Sequence, residues 1–170
     1  KKILLIITGS IAASRCREII TLLNVNQVKT SCILTKEAKK YVKISDIKKL
    51  LKNRIFTDED EKKNKMLHIN LSRDNDIIVM CPATANSIAK FANGYGDNLA
   101  SNTLLASNKK ILFVPAMNSF MWHNKINQKN VKLLKDSGHE FIGPQIGKLK
   151  CGEFGLGRID NSKKIVNRIL

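Results

Sequence analysis

The chain has 170 residues, 43% hydrophobic and 26% charged, the proportions of an ordinary globular protein long enough to bury a proper core. Its longest apolar run, Ile3 to Ile7, is too short to cross a bilayer, and no signal-peptide pattern precedes it; a cytoplasmic protein without membrane attachment is expected. The net charge of +16 comes from Lys spread along the whole chain, with no Arg-rich arm and little aromatic interleaving, so a solvated basic surface is favoured over nucleic-acid binding.

Lys2 to Ile7 reads as a buried strand, followed by the turn Thr8-Gly9-Ser10 and a helix from about Ala12 to Leu23. Val28 to Leu34 is a second strand, after which Thr35 caps a helix through Tyr41. Ile44 to Leu51 has helical spacing, whereas the polar stretch Asp58 to Lys65 reads as an exposed loop. His68 stands at the start of a further helix. The apolar run Ile77 to Cys81 is a strand leading to a helix near Asn86 to Asn93, and a helix around Asn98 to Ser107 leads to the strand Ile111 to Val114. Asn124 to Ser137 forms another helix that Gly138 ends, and His139 to Ile142 is a late strand. Gly143 to Arg158 holds five glycines and one proline, the composition of a loop or flap, and Asp160 to Leu170 closes the chain as an amphipathic helix.

Strands alternating with helices predict an α/β fold: a three-layer, doubly wound, mostly parallel Rossmann-like or flavodoxin-like sheet in a single domain over 1–170. No internal repeat and no dividing linker interrupts it. In such sheets ligands bind beyond the carboxyl ends of the strands. Two segments lie there: Pro82-Ala83-Thr84-Ala85-Asn86-Ser87 and Pro115-Ala116-Met117-Asn118.

Thr8-Gly9-Ser10-Ile11-Ala12 is a small-residue turn that exposes backbone N–H groups at a helix start, an arrangement favouring phosphate. It is neither GxGxxG nor a P-loop, so a mononucleotide such as FMN fits better than a dinucleotide. Four cysteines show no CxxC pair and no zinc spacing, and no metal is expected. Cys16, Cys32 and Cys81 sit in apolar surroundings; Cys151, between Lys150 and Gly152, is the thiol placed for chemistry. His68, His123 and His139 are each compatible with a structural role, and Asn118 is able either to orient a carboxylate or to cap the segment after it.

Taken together, these segments resemble the homo-oligomeric flavin-containing cysteine decarboxylases. The likeness runs through Thr8-Gly9-Ser10-Ile11-Ala12-Ala13, His68-Ile69-Asn70-Leu71, Pro82 to Ser87 and Gly96-Asp97-Asn98-Leu99. It continues through Pro115 to Asn118 with Met121-Trp122, and ends at Cys151-Gly152-Glu153 with Gly155 and Gly157-Arg158. The resemblance implies that Gly9, Ser10 and Ile11 hold the FMN phosphate, with Thr35 nearby. Thr84, Ala85, Asn86 and Ser87 would contact the flavin, and Met117 would lie near its ring. FMN in this family lies at a subunit interface within a trimer, and four trimers can assemble into a dodecamer, so one chain would not build a complete site.

The reaction implied is redox-neutral decarboxylation of 4'-phosphopantothenoylcysteine to 4'-phosphopantetheine, a carboxy-lyase step of coenzyme A biosynthesis. The cysteine moiety is oxidised to a thioaldehyde with His68 as base, and Asn118 orients the carboxylate that leaves as CO2. The resulting enethiolate is reduced while Cys151, on a Gly-rich flap over about 143–158, supplies the proton; Lys150 beside it would contact substrate. A lantibiotic-type peptidyl-cysteine decarboxylase, which stops at the enethiol, would share His68 and Asn118 without needing Cys151. A non-catalytic FMN-binding regulatory subunit would be free to lose all three residues. Prenylated-flavin synthases lack the His68 and Pro115-to-Asn118 pattern. Many bacterial relatives fuse this domain to a synthetase, which nothing here resembles. The segment Lys43 to Asn64, expected at the rim of the site, is more Lys-rich than the family pattern.

Overall fold

The computed structural model describes residues 1–52 and 54–170; Asn53, within the Lys-rich segment 43–64, lies outside the described residues. The chain begins with β1 (Lys2–Ile7), whose residues Ile3 to Ile7 are completely buried. Burying each such aliphatic side chain is worth about 1.5–3 kcal/mol, which makes this run the centre of the molecule. A 3₁₀ segment at Ile11–Arg15 precedes α1 (Cys16–Val25), so the helix expected from Ala12 starts as a tighter turn. The Ser10 hydroxyl accepts from the Ala12 N–H at 3.2 Å and shapes that entry.

Next come β2 (Lys29–Leu34), α2 (Ile44–Leu51), β3 (Ile55–Phe56), α3 (Asp58–Lys63) and α4 (Leu67–Arg73). Two expectations fail in this region. The helix from Thr35 to Tyr41 is only a 3₁₀ turn at Ala38–Lys40; Thr35 Oγ1 does accept from the Ala38 N–H, at 3.3 Å, but the bond starts no longer helix. Most of the loop expected over Asp58 to Lys65 is helical, over Asp58–Lys63, because Thr57 and Asp60 form a reciprocal capping box. Acidic residues fill its first turn and Lys62 and Lys63 its last, the order that complements the helix dipole.

The second half contains β4 (Ile77–Ala83), α5 (Ala85–Ala92), α6 (Leu99–Leu105), β5 (Ile111–Pro115), α7 (Ser119–His123) and α8 (Lys125–Asp136). Gly138, at φ +90°, turns the chain out of α8 into β6 (Glu140–Phe141). The glycine-rich stretch is not an irregular loop: β7 (Gln145–Lys148) and β8 (Phe154–Arg158) pair as an antiparallel hairpin before α9 (Ser162–Ile169).

The main sheet has six strands in the order β3-β2-β1-β4-β5-β6, and every pairing in it is parallel. Alternate side chains of β1 feed two cores. Ile3, Leu5 and Ile7 pack with residues of α1, α2 and α9, while Leu4 and Ile6 pack with residues of α4, α5, α6 and α8. The result is the expected three-layer, doubly wound arrangement, with strand order reversing between β1 and β4. That reversal opens a crevice at the carboxyl ends of the strands. Among the described residues, no helix is long and apolar enough to cross a membrane.

Candidate functional site

The turn after β1 is tied to the carboxyl end of β4 beside the crevice. Thr8, buried, donates from Oγ1 to the Pro82 carbonyl at 2.6 Å. Gly9 is required beside it, because a Cβ there would lie 2.4 Å from Glu37 Cβ. After β4, Thr84 caps α5: its Oγ1 accepts from the Ser87 N–H at 3.1 Å and meets Ser87 Oγ at 2.9 Å. After β5, Asn118 caps α7, its Oδ1 accepting from the Met121 N–H at 2.9 Å. Asn118 therefore does cap the following segment, while its side-chain NH2 makes no hydrogen bond to a described residue.

These turns enclose a cavity of about 360 Å³. Gly9, Ser10, Thr35, Thr84, Ala85, Asn86, Ser87 and Met117 all line it. Ile11 does not, and faces the neighbouring cavity instead. Hydroxyls of Ser10, Thr35, Thr84 and Ser87 supply polar partners, while Met80, Phe91 and Leu104 supply an apolar wall. That combination suits a phosphate and hydroxylated chain at one end and a flat ring at the other, and the volume falls in the range of small-molecule sites. FMN fits this donor set. Sequence reasoning missed Lys36, Glu37 and Lys90 on the lining; their side chains enter through the fold of α5 and the turn after β2 and follow no motif.

A second cavity, of about 760 Å³, shares Ser10, Ala116 and Met117 with the first. Asn118, Lys150 and Cys151 line it, so the structure brings these three predicted residues together. Arg15, Lys148 and Arg158 add further cations, and no Asp or Glu is among the lining residues. The Arg158 side chain lies across the hairpin over Gly147, where a Cβ would come 2.7 Å from Arg158 Cδ. Cys151 is exposed, with Sγ 3.6 Å from Glu153 Oε2. The other thiols are buried. Hydrogen bonding with Cys81 and burial push the Cys16 thiol up, and burial does the same to Cys32, leaving them as packing groups.

His68 stands apart. It sits on the first turn of α4, lines neither cavity of its own chain, and approaches Glu61 Oε1 of α3 at 2.7 Å through Nδ1, outside hydrogen-bond direction. A single chain therefore does not unite His68 with Asn118 and Cys151. His123 is exposed at the end of α7, and His139 packs against Phe91 and Phe113 with Nδ1 accepting from the Ile111 N–H at 3.3 Å.

A family model described as Flavoprotein matches residues 1–170. The chain belongs to the Flavoprotein family. Within that family it is 32% identical over 173 residues to a probable phosphopantothenoylcysteine decarboxylase of Streptococcus mutans, covering 99% of this chain and 97% of that one. Among solved structures it resembles a Cys-to-Ser variant of PPC decarboxylase complexed with pantothenoylaminoethenethiol, at TM-score 0.89 and 28% identity over 99% of this chain and 95% of that one. It also resembles the FMN binding protein AtHal3, at TM-score 0.88 and 29% identity, covering 99% of this chain and 94% of the other. The chain spans under half the length of the bifunctional coenzyme A biosynthesis proteins it matches, 44% in that of Borreliella burgdorferi at 34% identity.

Proposed function

We propose that this Flavoprotein-family chain decarboxylates 4'-phosphopantothenoylcysteine to 4'-phosphopantetheine with FMN, as a carboxy-lyase of coenzyme A biosynthesis acting in the cytoplasm. One observation carries the reading: a cavity with FMN-compatible lining shares a wall with a cation-rich cavity containing Asn118 and Cys151. Gly9, Ser10, Thr35 and the Thr84-to-Ser87 turn would hold FMN, with Ile11 at the border with the second cavity. Bound FMN supplies a reversible two-electron acceptor, so the substrate's cysteine carbon can be oxidised and later reduced with no net redox change.

The chain's own groups do the rest. The side-chain NH2 of Asn118 binds the substrate carboxylate and points its C–C bond for loss of CO2. Cys151 Sγ–H gives the proton that completes the product, and the β7–β8 hairpin that carries it covers the reacting atoms against water. Lys150 and the neighbouring cations offset the charges of substrate phosphate and carboxylate. His68 acts as the base that removes the substrate proton, and it reaches the site from a neighbouring copy in a homo-oligomer built of trimers. The Cys151 proton donor favours this activity over a peptidyl-cysteine decarboxylase that stops at the enethiol.

The test is mass spectrometry of products after incubating the purified yellow protein with 4'-phosphopantothenoylcysteine. Loss of CO2 alone is expected. Loss of CO2 plus two hydrogens would assign the oxidative peptide-type chemistry instead. No change with FMN bound would assign a binding subunit.

A further inference from the structure

The core face of α8 carries Asn127, Val131 and Leu134, all buried. Their spacing puts one polar side chain where an apolar one is expected, and Asn127 is only 7% exposed. Its Nδ2 donates to Met117 Sδ at 3.3 Å and to the Met121 carbonyl at 3.1 Å. Its Oδ1 is buried without a partner among the described residues. A leucine would fill this position without leaving an unpaired acceptor of its own, so apolar packing alone does not account for an amide here. Besides pairing the Met121 carbonyl of α7, the amide holds a thioether.

Met117 is part of the wall common to both cavities. Its backbone is fixed from the hairpin side: its N–H donates to the Gly157 carbonyl at 3.0 Å, and a Cβ on Gly157, at φ +157°, would lie 2.1 Å from the Met117 carbonyl oxygen. The side chain has three rotatable bonds and would otherwise sample several shapes. We propose that Asn127 is a positioning residue: through its N–H···S bond it holds Met117 in one rotamer and so fixes the surface that separates the flavin from the reacting substrate. This rests on the decarboxylase reading for what the two cavities hold, though not for the bond itself. The sulfur is a weak acceptor, but the donor is buried and shared only with one carbonyl, so the contact does not compete with water.

The experiment compares the full-length yellow protein with Asn127→Leu and with Asn127→Ser, which is too short to reach the sulfur and alters packing less. The ε-methyl of Met117 is followed by ¹³C NMR and assigned by its loss in Met117→Leu. In both variants its signal should move to the rotamer-averaged position. The flavin absorption bands should shift, and kcat should fall roughly tenfold to hundredfold with KM little changed, as expected when a reacting pair is misplaced by up to about an ångström. An unmoved methyl signal overturns the proposal. So does an averaged signal with unchanged flavin bands and kcat, or a loss confined to thermal stability. If the parent protein makes no decarboxylated product while methyl and flavin signals respond as described, the decarboxylase reading fails and the positioning role of Asn127 stands.

Discussion

Thr8 Oγ1 and the Pro82 carbonyl oxygen, 74 residues apart in sequence, are joined by a buried 2.6 Å hydrogen bond that locks the first βα turn to the fourth strand. Thr8 and the Thr84-to-Ser87 turn that follows β4 line the crevice where the strand order reverses. Thr8→Val keeps the shape of the side chain but leaves a buried carbonyl unpaired, at about 1–3 kcal/mol. A fall in Tm of about 2–10 °C is expected for a chain of this size, with weaker FMN retention on desalting. Unchanged Tm and flavin content would show that the bond does not hold the cradle.

His68 lines neither cavity of its own chain, while Cys151 lines the second. Homo-oligomers of His68→Asn should lose decarboxylation by about 10²–10⁴-fold while keeping FMN, the usual range for removing a general base. Cys151→Ser should release product two hydrogens short of 4'-phosphopantetheine. Co-expression of the two variants should restore measurable formation of complete product, because some sites then combine His68 of one chain with Cys151 of another. Mixed oligomers as inactive as their parents would place both residues in one chain's site.

The second cavity has Arg15, Lys148, Lys150 and Arg158 on its lining and no carboxylate. A charge-assisted bond to phosphate is worth about 1.5–3 kcal/mol, so Arg158→Gln should raise KM for the phosphorylated substrate roughly tenfold or more. The dephosphorylated analogue should be turned over equally by both proteins. An equal change for both substrates would remove Arg158 from phosphate recognition.

Burial lowers the His139 pKa below its ordinary value, and the neutral ring accepts the Ile111 N–H. Below about pH 6.5 the unfolded chain takes up a proton that the folded chain resists, so folding stability falls as pH drops through that range. Above it both states are neutral and the contribution is flat. Urea midpoints at pH 5 and pH 8 should therefore differ less in His139→Gln than in the parent. An equal pH slope in both proteins would rule out this group as its source.

The buried strands were legible because their cause is local: runs such as Ile3 to Ile7 and Ile77 to Met80 are wholly apolar and rich in β-branched residues, and a parallel sheet covered on both faces asks for such runs. The cofactor-sized cavity was legible for the same reason, since the residues just after each strand must meet at the crevice. The helix at Asp58–Lys63 was also written in the chain, in the Thr57–Asp60 capping box and the acidic-to-basic order, but polar composition alone reads as loop.

Other features depended on contacts distant in sequence. The hairpin over 145–158 exists because Gly147 and Gly155 let Arg158 and Ser119 approach and Gly157 lets the Met117 carbonyl approach. The separation of His68 from Cys151, the four cations around one cavity and the hold of Asn127 on Met117 have no local signature. Periodicity and turn chemistry act over a few residues, and so the sequence by itself determined the long buried strands, most of the helices between them, the mostly parallel sheet and the strand ends that form the crevice. Which side chains face one another across that crevice was decided only when segments distant in sequence packed together, because close packing, and not local preference, sets those distances.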